Sequence, residues 1–237
     1  MKKQVIANWK ENFTIEQSLN WLDKFLTFFK QGTDFSSVMI CASFPLLYSI
    51  RKYLVDAEIN LRLGAQDVSR FEKGAYTGEV SVLQLKGLVD GIIIGHSERR
   101  RYFGEEVSSL YPKVRGASIN GFLPLVFLES SEFLLKIFPD RSYPDGLFLV
   151  YEPPTAISQS GLGNALSVED VIKACEELNG ETGGRFPIIY GGSVNAENAE
   201  NYLSQKEVDG VIVGQASLDP ETFSNIVKMS FKYDFKP

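Results

Sequence analysis

Eight times along this chain a short apolar run is followed by a stretch with helical character, and no other feature limits the possible folds so tightly. The runs read as strands over residues 4–9, 38–42, 59–66, 91–95, 122–128, 146–151, 186–192 and 209–214. A helix is predicted over 16–30, where Leu19, Leu22, Phe25, Leu26 and Phe29 recur at helical spacing. Further helices are predicted over 45–56, 105–119, 130–138 and 167–179, with a short one after the third strand and one after each of the last two. Ser167, with Asp170 three residues on, marks one helix start. Apolar strands alternating with helices in this number argue for an α/β architecture, a closed (β/α)8 barrel. The alternative, an open doubly wound sheet, usually carries a GxGxxG turn after its first strand, and none follows residues 4–9. With 44% hydrophobic residues in 237 and no long polar linker, residues 1–237 are read as a single barrel domain.

A formal net charge of −6 argues against general binding to nucleic acid or anionic membranes, which need a basic field. Any anion site must then be local. The apolar run after Lys3 is short and broken by Asn8 and Lys10, so no secretory leader is expected, and no run of about 18 apolar residues suggests a membrane span. Cys41 falls in a predicted strand and Cys175 in a predicted helix, far apart in sequence. A disulfide framework is not expected, and a reducing cytoplasm is the simplest compartment.

The stretch GIIIGHSERRRYFGE, residues 91–105, releases the only histidine, His96, from the end of a buried strand into a helix start. Ser97 is the expected cap of that helix, with Glu98 and the arginines around the ring. Strand ends in a barrel share one face, where ligands bind. Asn8 and Lys10 follow the first strand, Glu152 the sixth, Gly191, Gly192 and Ser193 the seventh, and Gly214 the eighth. Taken singly, Lys10 is as well read as a solvated charge, Glu152 before Pro153 as a turn residue, and YGGSV as tight-turn chemistry. Their joint placement points to a base, an ammonium and an imidazole in one pocket.

ANWKEN at 7–12, GAQDVS and GAYTGEVS within 64–81, GHSERRRYFGE at 95–105, VYEPPTAI at 150–157, YGGSV at 190–194 and DGVIVGQASL at 209–218 together resemble the triosephosphate isomerases. The match runs in order along nearly the whole chain. The resemblance implies a TIM barrel that interconverts dihydroxyacetone phosphate and glyceraldehyde 3-phosphate with no cofactor and no metal. Carried over residue by residue, it makes Glu152 the base, His96 the neutral electrophile that shuttles protons between oxygens, and Lys10 the cation facing the enediolate. Asn8 would orient the substrate and Glu98 would organise Lys10. Backbone amides near Gly191, Gly192, Ser193, Gly214 and Gln215, together with Ser158, would hold the phosphate. Gln215 stands where the family commonly has a second glycine.

The chain departs from the family in two places. Thr155 stands at the lid tryptophan, and Ser158, Gln159 and Ser160 at the GTG-like run. After the fifth strand, FLES replaces CIGE, putting Phe127 at the cysteine and Ser130 at the glutamate that partners that tryptophan. The paired change is read as a remodelled lid, with Ala156, Ile157 and the Ser158 amide closing over the phosphate and Pro153 and residues 161–163 as hinges. The glycine-rich loop 66–79, bounded by Gln66 and Glu79, reads by itself as a surface loop. By resemblance it docks into a second copy, with Thr77 supporting the other site, so a homodimer is expected. Two competing functions are another phosphate-binding barrel isomerase or aldolase, and a non-catalytic paralogue that binds triose phosphates.

Overall fold

The apolar runs form eight strands, β1 (Gln4–Asn8), β2 (Val38–Ala42), β3 (Arg62–Ala65), β4 (Gly91–Ile94), β5 (Leu123–Leu128), β6 (Phe148–Tyr151), β7 (Ile188–Tyr190) and β8 (Gly210–Val213). The computed structural model describes residues 2–156 and 165–233. All pairings are parallel and follow chain order, and β8 returns to β1 in the register Gln4↔Gly210 and Ala7↔Val213, which closes the barrel. Side chains alternate along each strand, so the core has two parts. Ile6, Met39, Ile93, Leu125, Phe127 and Ile212 fill the barrel interior. Val5, Ala7, Ile40, Leu63 and Ile92 face outward, under the helices.

The helices among the described residues are α1 (Ile15–Thr27), α2 (Phe44–Asp56), α3 (Ser97–Phe103), α4 (Leu110–Ile119), α5 (Ser131–Ile137), α6 (Val168–Thr182), α7 (Ala199–Leu203) and α8 (Pro220–Ser230). Local chemistry sets their starts. Thr14 and Gln17 form a reciprocal capping box for α1, which buries Trp21, Leu22 and Phe25 against the barrel. Ser167 accepts the Asp170 amide at the start of α6, as its spacing predicts.

The alternation differs from expectation around β4. The short helix expected after β3 is a 3-10 turn, Val82–Leu85, and the helix start expected at His96 and the helix expected over 105–119 form two separate helices, α3 and α4. The cause is Gly104, which takes the left-handed conformation at φ +63° and ends α3 with its amide donating to the Arg99 carbonyl. Pro112 lies in the first turn of α4, where its missing amide breaks no helical bond. Cys41 on β2 and Cys175 on α6 are both buried and unpaired. Among the described residues, no helix is long and apolar enough to cross a membrane.

Candidate active site

Parallel strands deliver their C-terminal ends to one rim, and the polar side chains of this chain gather there. Asn8 closes β1 with its Oδ1 accepting the Lys10 amide at 3.2 Å. That turn puts Lys10 in the left-handed backbone region, φ +51°, a conformation costing a non-glycine residue roughly 1–2 kcal/mol. The Lys10 carbonyl is held by Gln66, whose amide nitrogen donates to it at 2.9 Å and to the Cys41 carbonyl at 3.0 Å. Gln66, expected only as a loop boundary, thus braces the lysine turn. Lys10 Nζ meets Glu98 Oε1 at 2.6 Å. Both side chains are about one-third exposed, so the pair fixes where the ammonium sits more than it stabilises the fold.

His96 itself caps α3. Its Nδ1 accepts the Glu98 amide at 3.1 Å, which leaves the proton on Nε2. Burial pushes the pKa of the ring down to about 4; Glu98 opposes this, while Lys10, Arg100 and Arg99 reinforce it. The imidazole is therefore neutral at physiological pH, and desolvation is the larger reason. Ser97, expected as the cap, instead forms the first residue of α3 and donates its hydroxyl to Glu152 Oε2 at 2.7 Å.

Glu152 follows β6, its amide bound to the Leu128 carbonyl of β5 at 2.8 Å. Burial raises its pKa from the ordinary 4.5 to about 7, outweighing the Ser97 hydrogen bond and the Lys10 charge, which act downward. Its Oε1 lies 3.8 Å from His96 Nε2. That is too far for a direct hydrogen bond.

The loops after β7 and β8 complete the rim. Gly191 donates its amide to the Tyr151 carbonyl at 2.9 Å, so of the amides expected to bind an anion this one is spent on the barrel. Those of Gly192, Ser193, Gly214 and Gln215 remain as candidates. A side chain at Gly192 would stand 2.2 Å from the Tyr190 hydroxyl and 2.7 Å from Ala156 Cβ, so only glycine fits. Gly214 faces Lys10, whose Nζ lies 3.9 Å from the place a Cβ would take.

Ile157, Ser158, Gln159, Ser160 and residues 161–163 lie outside the described residues. Their flanks are firmly tied. Before them, Ala156 is fully buried in the short turn Pro154–Ala156 and its carbonyl accepts the Ser193 hydroxyl at 2.7 Å. After them, the Leu166 amide donates to the Tyr190 hydroxyl at 3.0 Å and its carbonyl accepts from Tyr202 at 2.7 Å. Ser130 caps α5, accepting the Phe133 amide, while the carboxylate of the preceding Glu129 pairs with Arg100. Arg100 also donates to the Gly95 carbonyl beside His96.

Loop 66–79 is anchored below its tip. Asp67 meets Arg99 at 2.8 Å and Lys113 at 2.6 Å, and Lys113 is shared with buried Glu105. Phe71 and Tyr76 stack at 3.8 Å within the loop, and Thr77 is exposed.

With this geometry in view, the comparisons are consistent from end to end. The family model described as triosephosphate isomerase matches residues 3–230. The triosephosphate isomerase of Aquifex aeolicus is 31% identical, over 96% of this chain and 99% of its own length. That of Dehalococcoides mccartyi is 35% identical over 97% of each chain. That of Thermodesulfovibrio yellowstonii is 36% identical over 96% of this chain and 99% of its own. A match of this extent, on a closed barrel with these rim residues, means that the chain belongs to the triosephosphate isomerase family.

Proposed function

We propose that this chain interconverts dihydroxyacetone phosphate and D-glyceraldehyde 3-phosphate through an enediolate, by proton transfer alone, with no cofactor and no metal. The observation that carries the reading is the pairing of a carboxylate tuned to about 7 with a neutral imidazole 3.8 Å away. A proton α to a carbonyl is weakly acidic, so removing it needs both a positioned base and stabilisation of the oxyanion. Glu152 takes the proton from one carbon and returns it to the next. His96 donates from Nε2 to the carbonyl oxygen and moves a proton between the two oxygens. Lys10, fixed by Glu98, balances the charge of the enediolate, and Asn8 orients the substrate. The amides of Gly192, Ser193, Gly214 and Gln215, with Ser158, hold the phosphate. No net proton is consumed.

The base must be ionised to act, so kcat/KM is expected to fall tenfold per pH unit below about 7, where Glu152 gains its proton. His96 adds no second limb until about 4. A pH profile of kcat/KM flat down to 5 would refute the assignment of Glu152 as base. A coupled assay on purified protein tests the activity itself, with Glu152→Asp as control. Tight binding of triose phosphate without turnover would favour the non-catalytic paralogue. An aldolase-type Schiff base is disfavoured, because none of the eight strands carries a lysine.

The reading extends to a cytoplasmic homodimer and to residues 1–237 acting as one barrel domain. Thr77 and Tyr76 at the tip of loop 66–79 are exposed, as are Tyr102 and Phe103 on α3. Arg99 and Lys113 join that loop to the helices after His96 through Asp67, so whatever the loop docks into is coupled to the site. Sedimentation is expected to give a dimer, and Thr77→Arg a monomer with kcat at least tenfold lower. A fully active monomer would remove this part of the reading.

A further inference from the structure

Phe127 belongs to β5, in register with Val150 of β6, two residues ahead of Glu152. Its side chain is 1% exposed and forms part of the barrel interior. The His96 ring lies against it, with centroids 4.7 Å apart and planes at 55°. His96 is thus held on three sides. The Glu98 backbone amide donates to Nδ1, Nε2 lies 3.8 Å from Glu152, and Phe127 offers the ring an apolar face.

Charges of both signs surround the ring. Lys10 comes from the loop after β1, Arg99 and Arg100 from α3, Glu98 also from α3, and Glu152 from the end of β6. Glu129 from the end of β5 is itself paired with Arg100. The three cations favour the neutral ring and Glu98 opposes them, but exclusion of water is the largest influence on its protonation state. The wall that excludes it from the barrel side is Phe127.

We propose that Phe127 is a positioning residue for the isomerisation: its ring seals the top of the barrel interior beneath His96, keeping the imidazole dry, neutral and aimed at the substrate carbonyl. This rests on the assignment of His96 as the electrophile. Truncating the ring leaves every charge in place but opens a cavity beside two polar groups, where water has partners. A neutral ring surrounded by water regains its ordinary affinity for a proton.

His96 is the only histidine of the chain, so labelling with 15N-histidine gives the signals of one imidazole. In the wild type these are expected to report the Nε2–H tautomer with no titration down to about pH 5. Phe127→Ala is expected to raise the midpoint by at least one unit, tenfold in proton affinity, and to lower kcat about tenfold with KM within twofold. Phe127→Met keeps an apolar wall and is expected to restore the wild-type titration. Phe127→Val, a milder truncation in a strand, gives a smaller shift of the same sign and serves if the alanine variant does not fold. Val150→Ala removes interior volume on the neighbouring strand β6 but leaves the Phe127 ring in place, and is expected to leave the midpoint unchanged.

An unmoved midpoint in folded Phe127→Ala or Phe127→Val overturns the proposal. So does an equal shift in Phe127→Met or Val150→Ala, which would make it a general loosening. The spectrum reads the imidazole without turnover. An inert His96→Asn substitution would therefore sink the electrophile assignment, separately from the contact between Phe127 and the ring.

Discussion

Replacing Glu152 by Gln is expected to lower kcat by about ten-thousand-fold while leaving KM within about threefold, the upper end of what general-base catalysis supplies. Glutamine fills the same space and keeps one acceptor for the Ser97 hydroxyl, so binding is preserved and only the proton acceptor is lost. The same substitution is expected to stabilise the fold in alkaline buffer. A carboxyl whose pKa rises on folding holds its proton more tightly in the folded chain. Its contribution is full below the ordinary 4.5 and is lost as pH climbs to about 7. Glutamine stays neutral throughout, so the gain grows from pH 4.5 and is complete above about 7, on the order of 1–3 kcal/mol. Thermal unfolding at pH 4 and pH 8 measures it. A variant that keeps more than a hundredth of the wild-type kcat would eliminate Glu152 as the base.

Lys10→Met is expected to cost about a thousandfold in kcat/KM, through loss of the charge that meets the developing oxyanion. Methionine keeps the length of the stem and leaves Glu98 without its 2.6 Å partner. The left-handed backbone at φ +51° offers a way to separate charge from strain. Lys10→Gly relieves the strain and should melt at least as high as the wild type, yet be as inactive as the methionine variant. Activity retained in the glycine variant would show that the ammonium contributes little.

Much of this could be read from the residues because the fold sends strand ends to a single rim. Once eight apolar runs were counted, Lys10, Glu98, His96 and Glu152 were expected near one another, and hydrogen bonds join the first three in that order. What escaped the sequence were contacts that depend on distance across the rim. The Ser97 hydroxyl reaches Glu152, 55 residues away, because the ends of β4 and β6 are separated by a single strand. Spacing suggested a cap for Ser97, but His96 already occupied that role with its ring. Where the helix that opens at Ser97 ends was not read, because that depends on the left-handed backbone at Gly104. The amide of Gly191 was lost to the anion site for a similar reason, since its partner is a carbonyl on the neighbouring strand.

The pairing of β1 with β8 also bears on how the chain comes into being. Gln4 and Gly210 are neighbours in the sheet, yet more than two hundred residues separate them on the ribosome. Until the last strand emerges, β1 and β7 each present an unpaired edge, the kind of surface on which nascent chains stick to one another. Lys10 waits in the turn after the first strand while Gly214 is still to be synthesised, so no partial product owns a working pocket. A chain stopped short of residue 210 is therefore expected to need a chaperone more than its nearly finished length suggests.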